Sequence, residues 1–231
     1  MLKSTHVSSP KPDIYKYLTL LSMIYLTCEL ASLVLSYKIV STKLFFGAAA
    51  SFIFPITYTW NDIITEVYGY NAAKRLIWLV FVCDYLFVFL LYFSIKAPSP
   101  TVYQQTAYIL VLGSLWRSVT GEMIGVLTGA FINSYIISKW KILTKGKHFW
   151  LRSIFSSVAG ELIMLFISVP IALFGRINTE EIFTLIIYAY SYKVIFAIII
   201  SGPANVIASA IKKSEGVDGY DYNVSYNPFK S

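Results

Sequence analysis

Asp62 and Glu66 stand four residues apart in the segment FPITYTWNDIITEVYGYNAAKR (54–75), with Tyr58 and Thr59 one turn before them. On a helix that spacing puts both carboxylates on one face. They repel each other there unless a cation or a hydrogen-bond donor lies between them. Such a pair could hold a cationic or donor-rich small molecule. A solvated helix end, or internal pairing with Lys74 or Arg75, would satisfy the two acids equally well. Further ionisable residues interrupt apolar runs: Glu29, Asp84, Arg117, Glu122, Glu161 and Lys193. A charge at the centre of a bilayer costs at least ~2.5–3.5 kcal/mol on insertion scales, so such residues face the protein interior and mark a pathway or a ligand. Arg117 is always charged and needs a partner, for which Glu122, Asp84 and Glu29 are candidates. Lys193 could pair with a carboxylate or couple to proton movement, while a structural ion pair accounts for Glu29, Glu161 and Lys193 just as well.

Templates for catalysis are missing. There is no zinc-ligand spacing, no phosphate loop and no Gly-x-Ser-x-Gly elbow. His6 and His148 lie outside the apolar runs, and Cys28 and Cys83 lie inside them. No metal, cofactor or structural disulfide is therefore expected. A membrane enzyme using Asp62 and Glu66 as general acid and base would lack a nucleophile or metal motif, so the chain reads as no enzyme.

The elements that must position these groups are membrane helices. The 231 residues are 57% hydrophobic and only 13% charged, against the ~25% charged residues of a soluble domain. Apolar runs long enough to span a bilayer cover 17–37, 44–67, 76–95, part of 103–138, 151–174 and 182–211. Pro55 inside the second run predicts a kink, and Gly69 a helix stop. Pro203 interrupts the last run. As one straight helix the fourth run would extend roughly 50 Å, well beyond a hydrocarbon core of ~30 Å, so it must tilt, protrude or break, with Gly113 and Gly121 as break points. Gly121, Gly125 and Gly129 recur every four residues, followed by Asn133. Such a stripe lets helix backbones approach closely, leaves room for a flat ligand, and if exposed would permit a homodimer.

Orientation follows from the Lys and Arg residues. With the amino end inside, the outer loops hold only Lys38, Lys43, Lys96 and Arg176 of the 19 Lys and Arg residues. Arg117 and Lys193 lie within spans, and all the others fall on the inner side. The expected fold is an all-α bundle of six transmembrane helices with both termini cytoplasmic. Residues 1–16 would form a polar tail, 17–213 the membrane domain, and 214–231 a tail whose polar composition predicts disorder. The basic stretch WKILTKGKHFWLR (140–152) reads as a cytoplasmic loop near anionic headgroups, not as a nucleic-acid site.

Three ordered blocks resemble the queuosine precursor transporter family, over about 37–213. The first is Asp62, Thr65, Glu66, Val67, Tyr68, Gly69 and Tyr70, continuing through Lys74, Arg75 and Trp78. The second is Arg117, Gly129, Phe131, Asn133 and Ser134, then Thr144, Gly146, Lys147, Trp150, Leu151 and Arg152. The third is Lys193. The chain departs from the family pattern at Met164, Ala130 and the Phe196–Ala197 pair, where acidic residues are usual. The resemblance implies a multi-pass protein of the bacterial inner membrane that imports 7-cyano- or 7-aminomethyl-7-deazaguanine for transfer RNA modification. A carboxylate would accept the paired N–H and amino donors of the guanine-like edge. The expected substrate-binding residues are Asp62, Glu66, Tyr58, Arg117, Glu122, Asn133, Glu161 and Lys193, with Gly121, Gly125 and Gly129 for helix packing. The alternative is a substrate-binding membrane subunit of a multi-component vitamin or heterocycle uptake system, docking through the glycine stripe. The expected partners are the deazapurine and the lipid bilayer, with no nucleic acid bound directly.

Overall fold

A computed structural model describes residues 15–36, 38–42, 45–98, 105–113, 115–173, 175 and 178–230, apart from a few side chains, among them those of Arg117 and Glu122. The chain is all-α in class. Seven α-helices are present among the described residues: α1 Leu18–Leu35, α2 Phe54–Tyr68, α3 Tyr70–Ile95, α4 Thr106–Leu112, α5 Leu115–Leu143, α6 Phe149–Leu173 and α7 Thr179–Glu215. Between α1 and α2, strand β1 (Ile39–Ser41) pairs antiparallel with β2 (Phe46–Ala48), Val40 lying opposite Gly47. A 3-10 turn, Ala49–Phe52, leads into α2.

The bundle is polar inside and apolar outside. Glu29, Asp62, Glu66, Asp84, Arg152, Glu161 and Lys193 are buried, whereas Leu79, Val82, Leu86, Leu90 and Phe93 form an exposed stripe down α3. That inversion is what hydrocarbon as a solvent demands: backbone groups paired within helices, and ionisable side chains turned inward. Among the described residues α1, α3, α6 and α7 are each long and apolar enough to cross a membrane. α2 is different. Its 15 residues reach only about 22 Å, and 12 of them are buried. It packs against α1, α3, α5, α6 and α7, and is the axis around which the other helices are arranged.

Three expectations need correction. Pro55 does not kink a long second span. Residues 46–52 form the strand and the 3-10 turn, so Pro55 falls in the first turn of α2, where its missing N–H breaks no helical bond. Pro203 lies within an unbroken α7. The fourth run divides at Gly113, between α4 and α5, and not at Gly121.

The glycines after Gly121 face α6. A Cβ added at Gly129 would lie 2.6 Å from the Gly160 carbonyl oxygen and 2.9 Å from the Met164 Cβ, and one at Gly125 would lie 2.8 Å from the Met164 carbonyl oxygen. Close approach of α5 and α6 therefore requires glycine at both positions. Gly129→Ala should force the helices apart at a cost of about 1–3 kcal/mol, lowering the unfolding midpoint of the detergent-solubilised protein. An unchanged midpoint would mean that the two backbones do not meet there.

The expectation of a disordered carboxyl tail is also corrected. The left-handed Gly216 ends α7 (φ 68°), and residues 217–230 turn back across the end of the bundle as a strap. Gly219 N–H donates to the Val67 carbonyl at 2.9 Å. Asp221 Oδ2 accepts from Tyr70 N–H at 2.9 Å and from Ser138 Oγ at 2.6 Å. Tyr70 Oη donates to the Tyr226 carbonyl, Trp78 Nε1 to the Pro228 carbonyl and Lys74 Nζ to the Lys230 carbonyl. Composition predicts disorder because it counts apolar residues, but this strap is held through polar groups at helix ends. Gly69, the single residue between α2 and α3, has φ +85°, and a Cβ there would lie 2.8 Å from Asp221. Glycine is needed at that elbow both for the backbone angle and for the strap. The same end of the bundle holds the start of α1, where Tyr17 N–H donates to Glu215 Oε1 at 2.6 Å.

Candidate functional site

α2 carries polar groups at three levels, and its neighbours sort them into three different environments. At its carboxyl end Glu66 is enclosed by cations. Arg152 of α6 forms a two-pronged pair with it, Nη1 to Oε2 at 2.7 Å and Nη2 to Oε1 at 3.1 Å. Lys212 of α7 reaches Oε1 at 2.5 Å, and Lys141 of α5 stands at 3.8 Å. Asp218 of the strap completes the cluster, 2.6 Å from Lys141 and 2.7 Å from Lys212. Burial alone would raise the Asp218 carboxyl, but its hydrogen bonds to Lys141 and Lys212 and their charges outweigh that and hold it below the usual carboxylate range. Lys141 also donates to the Glu66 and Gly219 carbonyls. Arg152 is directed toward Glu66 by the turn before α6, whose Lys147 carbonyl accepts from its Nε at 3.3 Å. The lysine-rich stretch 140–152 thus sends two of its charges inward.

One turn earlier the environment changes. Asp62 is fully buried, and among the described residues it pairs with no cation. Its Oδ2 accepts hydrogen bonds from Ser153 and from Ser157, the latter at 3.3 Å. Asn61 donates to Asn133 Oδ1 at 2.9 Å and to Ser134 Oγ at 2.8 Å, and Asn133 donates to Ser156 Oγ at 3.2 Å. Amide and hydroxyl groups of α2, α5 and α6 thus join in one buried network. Among the described residues, Asp62 Oδ1, Tyr58 Oη and Glu161 Oε2 have no hydrogen-bond partner. The expected Asp62–Glu66 pair does not converge on one point, each carboxylate being turned to its own set of partners.

At the amino end of α2 a cavity of about 400 Å³ opens between α1, the β1–β2 ribbon, α5, α6 and α7. Its walls are mostly apolar, with Leu33, Phe54, Met123, Val126 and Leu165, and among the described residues its ionisable lining is Glu29 and Lys193. Lys193 Nζ sits 4.3 Å from the centre of the Phe54 ring, and the Phe54 and Tyr58 rings lie 5.7 Å apart. Lys193 also attracts the Glu161 carboxylate. The cavity is of the size and character of small-molecule sites, apolar with a few convergent polar groups. It lies at the opposite end of α2 from the Glu66 cluster and the strap.

Of the expected substrate residues whose side chains are described, only Lys193 lines this cavity. Tyr58 and Glu161 are not in its lining but adjoin the lining residues Phe54 and Lys193, Asp62 and Asn133 belong to the amide–hydroxyl network, and Glu66 belongs to the ion cluster. The side chains of Arg117 and Glu122 lie outside the described residues, so the charge partner of Arg117 does too. Glu29, which the sequence offers as a partner for Arg117 or a member of a structural ion pair and not as a substrate residue, is a wall of the cavity. Phe54 was missed, although an aromatic residue immediately before Pro55 at a helix start was a usable signal. Lys141, Lys212 and Asp218 gave none, since only the fold brings them to Glu66.

Residues 48–207 match the family described as "Putative vitamin uptake transporter". No curated protein and no solved structure matches the chain.

Proposed function

Since this chain belongs to the vitamin uptake transporter family, we propose that it imports a small planar heterocycle through the cavity at the amino end of α2, and that the heterocycle is a 7-deazaguanine precursor of queuosine. The family is one of transporters, not of enzymes, and the protein is a multi-pass membrane protein with a small-molecule substrate. The observation that carries the proposal is the placement of Glu29 and Lys193 in an otherwise apolar cavity, beside the Phe54 ring. A carboxylate accepts the paired N–H and amino donors of a guanine-like edge, an ammonium donates to its ring carbonyl, and an aromatic face stacks on the ring. In the proposed arrangement the chain crosses a bacterial inner membrane six times, α4 and α5 together making the fourth crossing. The strap and the Glu66 cluster then face the cytoplasm and the cavity faces outward. The ion cluster closes the inner end while substrate enters from the other. Gly125 and Gly129 are taken up by α6, so those two positions are not open to a second copy or a further subunit.

The test is rescue of queuosine in transfer RNA, in cells unable to make the precursor and lacking their own importer, at limiting external supply. This chain should restore the modification. Glu29→Gln and Lys193→Met should each reduce rescue at least ~10-fold, because a hydrogen bond to a charged group is worth about 1.5–3 kcal/mol, with membrane insertion unchanged. No rescue by the wild-type chain, in cells where another importer restores it, would end the substrate assignment. Full rescue by both variants would move the site elsewhere.

A further inference from the structure

Asp62 and Glu66 are one turn apart on the same helix, yet they have opposite surroundings. Glu66 has Arg152, Lys212 and Lys141 around it. Among the described residues no lysine, arginine or histidine pairs with Asp62, which is 0% exposed. A buried carboxylate without a cation costs several kcal/mol, and a proton is the smallest group that removes the charge.

The partners of Asp62 suit that exchange. Ser153 and Ser157 donate to its Oδ2, and a serine hydroxyl either donates or accepts. The ionised acid is held by two donors, and the protonated acid can turn its O–H toward one of the same oxygens. Neither state requires the backbone to move. An arginine or lysine partner would lock the ionised state, as Arg152 does for Glu66.

A line of ionisable groups leads from Asp62 to the cavity. Tyr58 is one turn closer to it, with an Oη that has no hydrogen-bond partner among the described residues. Glu161 of α6 acts electrostatically on both Tyr58 and Asp62, and Lys193 of α7 acts on Glu161 while lining the cavity. From α1, Tyr25 and Glu29 face Tyr58. From α3, Asp84 acts on Tyr25. α5 presents the uncharged Asn133 to this level, its Lys141 being held at Glu66. The Arg152 and Lys212 charges are likewise directed to Glu66 and Asp218. A substrate that engages Lys193 changes the field at Glu161, and through it at Asp62.

We propose that Asp62 is the proton-carrying site of this transporter and that uptake is driven by proton entry. This rests on the transport reading of the cavity. One proton is taken up by the Asp62 carboxylate from the cavity side, and the same proton is released on the strap side as the carboxyl ionises again. No other group is consumed.

The full chain, purified and reconstituted in proteoliposomes, should accumulate 7-cyano-7-deazaguanine when the lumen is alkaline relative to the outside, and a protonophore should abolish accumulation. Asp62→Asn should lose this gradient-driven accumulation, and Asp62→Glu should recover part of it. Asp84→Asn removes another buried acid and should leave accumulation intact. Gradient-independent uptake by the wild type overturns the proposal, as does accumulation by Asp62→Asn equal to wild type, or loss of accumulation in Asp84→Asn but not in Asp62→Asn. If no deazapurine enters under any gradient, the substrate assignment fails instead. The infrared difference spectrum of the purified protein between acid and alkaline pH then decides the proton site. A protonated-carboxyl band that disappears on alkalinisation in the wild type and is missing from Asp62→Asn supports it, and identical difference spectra overturn it.

Discussion

Glu66→Ala should destabilise the protein by about 3–5 kcal/mol, the cost of removing one member of a buried ion pair. The cost lies with the groups left behind. Arg152 is 1% exposed and Lys141 2%, so neither charge reaches solvent once the carboxylate is gone. Lys212, 21% exposed and paired also with Asp218, can turn outward. Lys212→Met should therefore be much milder than Glu66→Ala, since Arg152 and Lys141 still neutralise the acid. The measurement is denaturant unfolding of the detergent-solubilised protein, with yield in the membrane as a second readout. Equal stability of Glu66→Ala and wild type would show that the cluster is open to water and that Glu66 is available to a ligand after all.

Ending the chain after Gly216 should destabilise it to a similar degree, on the order of 3–5 kcal/mol, by removing the strap. Lys141 loses the Asp218 carboxylate and the Gly219 carbonyl. Tyr70 N–H and Ser138 lose Asp221, and Trp78 and Lys74 lose their carbonyl acceptors. Each buried donor left unmet costs about 1–3 kcal/mol, and water reaching the outermost of them keeps the total toward the lower end. The point variant Asp221→Ala should show part of the effect. Thermal unfolding in detergent tests both, and a truncated chain that melts with the full one would mean that the strap only lies on the surface. The strap is also sensitive to acid. The Asp218 carboxyl is held below its ordinary value of 3.8, so its contribution is complete above that value and is lost as pH falls below it through the lowered one. Protease cleavage within 217–230 should therefore quicken only on the acid side of that range.

Much of the fold is legible in the apolar runs, because a helix facing lipid must show an unbroken apolar surface. α1, α3, α6 and α7 fall where such runs do. α2 is harder to read, since it touches protein on every side and no lipid-facing stripe marks its start. Its apolar lead-in, 44–53, reads as helix although much of it is ribbon and 3-10 turn. The site is legible as a set of residues but not as a set of pairs. The four-residue spacing puts Asp62 and Glu66 on one face, yet it cannot reveal that Arg152, 86 positions away, meets one of them and two serines the other. The Gly69–Tyr70 part of the first block carries a structural duty: it shapes the α2–α3 elbow and receives the strap. Asp221, its counterpart, sits in a polar stretch with no periodicity to announce it.

The strap has a consequence for biosynthesis. Residues 217–230 leave the ribosome after every helix of the bundle has been made. Until then Lys141 and the amino end of α3 lack their last partners, and the bundle stands with its charged end unsealed. The polypeptide thus completes α1 to α7 first and fastens them with a segment translated after all seven. Conditions that stall translation late should leave a species that is inserted and helical but readily cut at the α2–α3 elbow.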